Sequence, residues 1–125
     1  MIAVDSSSFI AYLEGSSGHD VDSVDEALMH GQLVLPPVVL SELLSDPGLS
    51  SQNAGLLLDL PQLTVQDGYW ERVGRLRAKL LGRRLKARLV DCLIAQSCLD
   101  YDTPLVTRDG DFRHFVRHDG LELCR

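Results

Sequence analysis

Short apolar runs alternate along this chain with longer amphipathic segments, and that alternation restricts the fold more than any other feature. Ile2-Ala3-Val4, Gln32-Leu33-Val34-Leu35 and Pro104-Leu105-Val106-Thr107 each read as a buried strand. Leu63-Thr64-Val65 and Leu121-Glu122-Leu123 read as two further short strands. Helical patterns separate them. Ser6, Ser7 and Ser8 stand as N-cap residues for a helix carrying Phe9, Ile10, Tyr12 and Leu13, and a second helix is expected over about 21–30. Pro36 and Pro37 open a third, with Leu40, Leu43 and Leu44 turned inward and Glu42 on another face. Asp46-Pro47-Gly48 ends it, and Ser50 or Ser51 starts a fourth that runs to Leu58.

A helix over about 69–81 places Trp70, Val73, Leu76 and Leu80 on its apolar side and Arg72, Arg75, Lys79 and Arg83 opposite. The next, over about 88–101, has a broad apolar side of Leu89, Val90, Leu93, Ile94 and Cys98. A short helix with Phe112, Phe115 and Val116 follows the last long strand. Strands alternating with helices imply a parallel α/β sheet with helices on both faces.

Acidic residues stand at the edges of these segments. Asp5 follows the first strand, Glu42 lies in the helix after the second, Asp91 is near the start of a helix, and Asp109 and Asp111 follow a later strand. Each adjoins an apolar run that must enter the core, so folding can bring all of them to one spot. In parallel α/β sheets ligands bind at the carboxyl ends of the strands, where Asp5 and Asp109 lie. Two carboxylates about 5 Å apart repel by roughly 3 kcal/mol at an effective dielectric of about 20. Such a cluster persists when a hard divalent cation neutralises it, and Mg²⁺ or Mn²⁺ prefers oxygen ligands. Singly, each acid has an ordinary reading: Asp5 as a helix cap, Glu42 as a solvated helix residue, Asp91 as a complement to a helix N-terminus, and Asp109-Gly110-Asp111 as a turn.

The net charge of −6 conceals an asymmetry. Residues 1–71 hold eleven acids and no Lys or Arg; the remainder holds all twelve basic residues against seven acids, which leaves +5. Eight of the twelve fall between Arg72 and Arg88. An acidic site beside a basic stripe suits a nucleic-acid partner, which a uniformly acidic surface would not. The stripe of Arg72, Arg75 and Lys79 reads equally as a solvated helix face, whereas Arg108, beside the acidic site, is the better candidate for a phosphate contact.

With 125 residues, 45% of them hydrophobic, the chain is expected to form one domain over 1–125. The charge at Asp5 argues against a cleavable signal, and the longest uncharged apolar stretch, from Leu33 to Leu40, is too short to cross a bilayer. A soluble, cytoplasmic protein with no membrane partner is expected. Cys92, Cys98 and Cys124 lack CxxC spacing and read as small buried hydrophobes. His114 and His118 lack the surrounding pattern of a zinc helix and read as surface residues.

Four motifs, taken in order, carry a family resemblance. Val4-Asp5-Ser6-Ser7, Leu40-Ser41-Glu42-Leu43, Val90-Asp91-Cys92-Leu93-Ile94-Ala95 and Pro104-Leu105-Val106-Thr107-Arg108-Asp109-Gly110-Asp111-Phe112 resemble the PIN-domain nucleases. Together they look like the small single-domain PIN proteins that serve as VapC toxins in bacterial toxin–antitoxin pairs. The resemblance covers nearly the whole chain. It implies a three-layer α/β/α fold with a five-stranded parallel sheet, and an endoribonuclease that uses Mg²⁺ or Mn²⁺, forms a homodimer and is silenced by a cognate antitoxin protein.

By the same resemblance Asp5, Glu42, Asp91 and Asp109 form the metal-binding and catalytic quartet. Asp111 is either an accessory ligand or a residue that supports one. Ser7 and Thr107 supply hydroxyls that orient the carboxylates or metal-bound waters. The chain departs from the family just before Asp91, where relatives carry small or polar residues and this sequence has Arg83, Arg84, Lys86 and Arg88. Arg84 and Arg88 read as contacts to RNA phosphates or as part of an antitoxin-sensitive surface. Whether one or two cations bind is open, as is whether Glu42 or Asp91 orients the attacking water.

Two other functions remain as alternatives. A receiver-type signalling module is also α/β with acids at strand ends, but it requires an acidic pair after the first strand and a phosphoacceptor Asp ending a central one; Asp5-Ser6 and Leu33-Val34-Leu35-Pro36 supply neither. The other is a catalytically inactive PIN-fold RNA-binding protein, which the intact acidic set opposes. The absence of DxD after the first strand disfavours a dehalogenase-type phosphatase, and the absence of GxGxxG disfavours a dinucleotide enzyme.

Overall fold

A computed structural model describes residues 1–124; Arg125, one of the twelve basic residues, lies outside the described residues. Strand β1 (Ile2–Val4) is central, with β2 (Leu33–Val34) on one side and β3 (Leu105–Val106) on the other, all parallel. Ile2 pairs with Leu33 and Ala3 with Val34, while Ala3 pairs with Leu105 and Val4 with Val106. Successive strand residues point to opposite faces, yet Ala3, Val4, Leu33, Val34, Leu105 and Val106 are all buried. Both faces of the sheet are therefore covered, as its near-continuous apolar strands require.

The expected five strands are three among the described residues. The outer two survive as single parallel bridges, Leu35 with Gln62 and Leu105 with Leu123. On one edge Leu35 donates to Pro61 O (2.9 Å) and accepts from Leu63 N (2.9 Å); on the other, Leu105 donates to Glu122 O (2.9 Å) and accepts from Cys124 N (2.8 Å). Pro61 has no N–H to extend the ladder. Leu63 and Leu121 are buried, but Thr64, Val65, Glu122 and Leu123 face solvent, so a single inward side chain holds each segment.

The helices are α1 (Ser6–Leu13), α2 (His19–Met29), α3 (Pro37–Leu44), α4 (Ser51–Asp59), α5 (Tyr69–Gly82), α6 (Leu89–Asp100) and α7 (Arg113–Asp119). None is long and apolar enough to cross a membrane. The cap of α1 is Asp5 and none of the three serines: its side chain accepts from Ser8 N. Pro37 occupies the first turn of α3, where its missing N–H costs nothing. Val39 and Leu43 are the buried residues of α3, whereas Leu40 is half-buried and Leu44 is exposed, so of the expected inward set Leu43 is buried and Val39 joins it. Ser50 caps α4 by accepting from Asn53 N (3.1 Å).

Helix α5 differs in the same way. Its buried side is Tyr69, Val73, Leu76 and Leu80, and Trp70 is 64% exposed where Tyr69 is 4% exposed. The spacing 69, 73, 76, 80 follows the i, i+4, i+7, i+11 stripe of a packed helix more closely than a start at 70 does. Tyr69 also gives its polar end a partner, donating from its hydroxyl to Leu93 O on α6 (2.7 Å). Opposite, the basic stripe is mostly knitted into the fold. Arg72 grips Asp100 with two hydrogen bonds (2.9 and 2.6 Å), Lys79 pairs with Asp119 (2.7 Å), and Arg83 donates to His118 Nδ1 (3.2 Å).

Helix α6 is apolar nearly all round and is the most enclosed, with Cys92 and Ile94 to Cys98 buried. Burial pushes the thiols of Cys92 and Cys98 up to about 11 and about 12, so both stay protonated and pack as hydrophobes.

Phe9 anchors α1, and with it Asp5, to the common core. Phe9→Ala should cost about 3–5 kcal/mol by leaving a cavity there, read as a lower urea midpoint with an unchanged slope.

Candidate functional site

Asp5 stands where β1 ends and α1 begins, and is 3% exposed. Three donors hold its carboxylate. Ser7 Oγ lies 2.8 Å from both oxygens, Ser8 N donates to Oδ1 (3.0 Å), and Thr107 Oγ1 donates to Oδ2 (2.5 Å). Thr107 follows β3 directly, so this last bond ties the ends of two neighbouring strands together. The same hydroxyl accepts from Asp109 N (3.0 Å). Asp109 then caps a single 3₁₀ turn (Gly110–Phe112) by accepting from Asp111 N (2.9 Å).

Asp91 enters from the first turn of α6. Carboxylate oxygens of Asp91, Asp109 and Asp111 all lie within 4.8 Å of one another. Asp5 and Glu42 stand outside that trio but next to it in electrostatic terms: Asp5 feels Asp109, Asp91 feels Asp5, and Glu42 feels Asp5. Glu42, on α3, is held by Ser6 Oγ, which donates to Oε1 (3.1 Å). The acids thus come from the carboxyl edge of a parallel sheet and from two helices that flank it.

Their protonation reflects the crowding. Burial raises the Asp5 carboxyl above its ordinary value and outweighs all three donors, with Asp109 adding repulsion. Burial also raises Glu42, against the Ser6 hydrogen bond. Asp91 is pushed up to about 6, by burial first and then by the charges of Asp109, Asp111 and Asp5, with Arg88 opposing. Asp111 goes the other way. A hydrogen bond from Lys86 holds it below its ordinary value, helped by Arg88, and both cations reach its Oδ2 at 2.8 Å. A set of hard oxygen donors that repel one another suits a hard divalent cation.

The basic candidates divide. Arg88 is at the cluster through Asp111. Arg84 ends α5 in a left-handed conformation (φ 59°), is exposed, and makes no side-chain hydrogen bond among the described residues. Arg108 is committed elsewhere: it donates to Asp20 twice (2.7 and 3.1 Å) and to Ser17 O (3.2 Å). Arg108 accordingly holds Asp20 down to about 2, with Ser8 as a further donor. Nothing in the sequence marks Asp20, which reads as one more acid in the first turn of a helix.

An α/β chain with carboxylates gathered at the carboxyl edge of its parallel sheet defines a class of cation-ready proteins. The PIN domain profile matches residues 2–117, and the chain belongs to the PIN-domain family. Among curated protein sequences none matches significantly. Among solved structures, the chain is similar to a member of the VapBC family of toxin–antitoxin systems, VapBC-5 from Mycobacterium tuberculosis, at 22% identity over 99% of this chain and 97% of that one, with a TM-score of 0.67. It is also similar to VapBC2 from Rickettsia felis, solved bound to a DNA fragment from their promoter, at 20% identity over 99% and 98% of the two chains, with a TM-score of 0.70. At these identities the likeness speaks for the fold. Family membership removes the receiver-type alternative.

The raised Asp91 pKa has a definite sign for stability. The folded state binds that proton more tightly than the unfolded chain, so the metal-free fold is penalised above pH 6 and the penalty fades as pH falls towards 4. Asp91→Asn should therefore raise the Tm in EDTA at pH 7.5 by a few degrees, about 1 kcal/mol after discounting for solvent screening. The gain should shrink at pH 5. A Tm difference that is flat across this range would contradict the assigned repulsion.

Proposed function

We infer that the chain is a metal-dependent endoribonuclease of the VapC type, a cytoplasmic toxin that cuts RNA phosphodiester bonds and is neutralised by a cognate antitoxin protein. One observation supports the reading: carboxylate oxygens of Asp91, Asp109 and Asp111 lie within 4.8 Å of one another, with Asp5 repelled by Asp109 and Glu42 by Asp5, a crowding that has no use in a merely structural site. Family membership supports the chemistry, and the likeness to toxin–antitoxin structures supports the partner. A homodimer belongs to the same reading, with exposed Trp70 as a candidate contact.

The cation would sit against Asp91 and Asp109, with Asp5 beside them and Glu42 at the rim. Bound Mg²⁺ or Mn²⁺ supplies a water of lowered pKa and offsets charge on the non-bridging phosphate oxygens. The protein's own groups do the rest. Ser7 and Thr107 keep the Asp5 carboxylate in one orientation. Ser6 engages Oε1 of Glu42, and either Glu42 or Asp91 would orient the attacking water. No histidine or nucleophilic serine is needed.

Asp5→Asn or Asp91→Asn should lower Mn²⁺-dependent RNA cleavage by about a hundredfold or more while the far-UV spectrum stays native. The Asp5 amide is isosteric, and the hydroxyls of Ser7 and Thr107 can rotate to meet it. Undiminished cleavage by either purified variant sinks the quartet assignment. No cleavage of total RNA by the wild-type chain, with Mn²⁺ present, would favour the inactive RNA-binding alternative.

Binding of the cation has its own signal. Mn²⁺ at about a hundred times its Kd should stabilise the wild-type fold by roughly 2.7 kcal/mol. Thermal unfolding should show this shift lost in the Asp91→Asn, Asp109→Asn double variant.

A further inference from the structure

We propose that Asp111 is a positioning residue and not a metal ligand: it holds Lys86 and Arg88 at the rim of the acidic cluster, where the two cations grip an RNA phosphate beside the one being cut. The proposal rests on the ribonuclease reading above and assigns the residues that seat the substrate.

The segment between α5 and α6 is built to present these side chains. Leu85 is half-buried and Ala87 buried, while Arg84, Lys86 and Arg88 are exposed. Leu85 N donates to Leu80 O (3.0 Å), and Ala87 O accepts from Arg77 Nε (2.8 Å). Arg88 is then the cap residue of α6. The backbone on either side of Lys86 is thus anchored, and every residue it turns outward from 84 to 88 is basic.

Elsewhere the ion pairs commit cations to acids outside the trio. Arg72 goes to Asp100, Lys79 to Asp119 and Arg108 to Asp20. Lys86 and Arg88 alone, among the described residues, pair with an acid of the cluster. A chain of net charge −6 repels RNA at long range, so affinity must come from cations placed locally.

Asp111 already accepts two charge-assisted hydrogen bonds at Oδ2, and a divalent ion on either oxygen of its carboxylate would be set against both cations. Keeping those bonds leaves most donors of both cations unused: Lys has three and Arg five, and each spends one on Asp111. The rest fit the oxygens of a phosphate.

The test uses a defined RNA, chosen by mapping wild-type cleavage ends on total RNA, with Mn²⁺ as the metal. Lys86→Ala and Arg88→Ala should each raise KM about tenfold with kcat within about twofold. Each should also lower the salt slope of log kcat/KM by about 0.7. Lys86→Arg should restore the wild-type KM. Asp111→Asn should raise KM likewise, while its Mn²⁺ affinity, measured by calorimetry without RNA, stays within about twofold of wild type. A tenfold or greater loss of Mn²⁺ affinity in Asp111→Asn would make Asp111 a ligand and overturn the proposal. So would wild-type KM and salt slope in both alanine variants. A wild-type chain that neither binds Mn²⁺ nor cuts RNA would instead bring down the nuclease reading, and this proposal with it.

Discussion

A carboxylate taken almost wholly out of water at the end of the central strand is the constraint on which the rest of this structure turns. Asp5 stays in place because Ser7, Ser8 and Thr107 all donate to it. Those bonds also cap α1 and pin the end of β3 against the end of β1. Three donors still leave burial dominant, so the group remains strained towards protonation in the absence of a cation. One residue thus links the helix start, the strand alignment and the demand for a positive charge. Removing the demand by an apolar substitution would also remove the cap and the strand tie.

Charge is arranged in two tiers. The pairs on α5, such as Lys79 with Asp119, join a partly exposed cation to a nearly buried acid and fix how helices lie. The pair of cations on Asp111 is different because its acid belongs to a crowded negative group, and there the local potential matters more than any single bond. Arg72 and Lys79 are committed in this first tier, and Arg108 is committed likewise to Asp20.

The alternation of strands and helices, the order of the elements and the positions of the acids at their ends were legible because each is a local pattern. What escaped was decided by tertiary geometry. Trp70 and Tyr69 are neighbours of similar apolarity, and only packing against Leu93 and Ser97 shows which one turns inward. Leu40 and Leu44 match a helical period as well as Val39 does, so the inward face of α3 was right at Leu43 and missed Val39. The two edge segments have strand-like composition but no second face to bury, and shrink to single bridges. Arg108 sits beside the acidic site in sequence, yet Asp20, eighty-eight residues earlier, claims its guanidinium. No local pattern announces such a partner, and the same holds for Lys86 and Asp111.

The strand order has a consequence for how the protein comes into being. β1 emerges first but occupies the middle of the sheet, and one of its partners is β3, whose Leu105 pairs with Ala3. Closing that gap is a slow, long-range event, since Thr107 follows Asp5 by 102 residues. Asp5 therefore waits through most of synthesis for Thr107, and Asp91 waits for Asp109. Until β3 has paired with β1, neither Thr107 nor Asp109 stands at the end of β1, so the acids of the candidate site come together in one step.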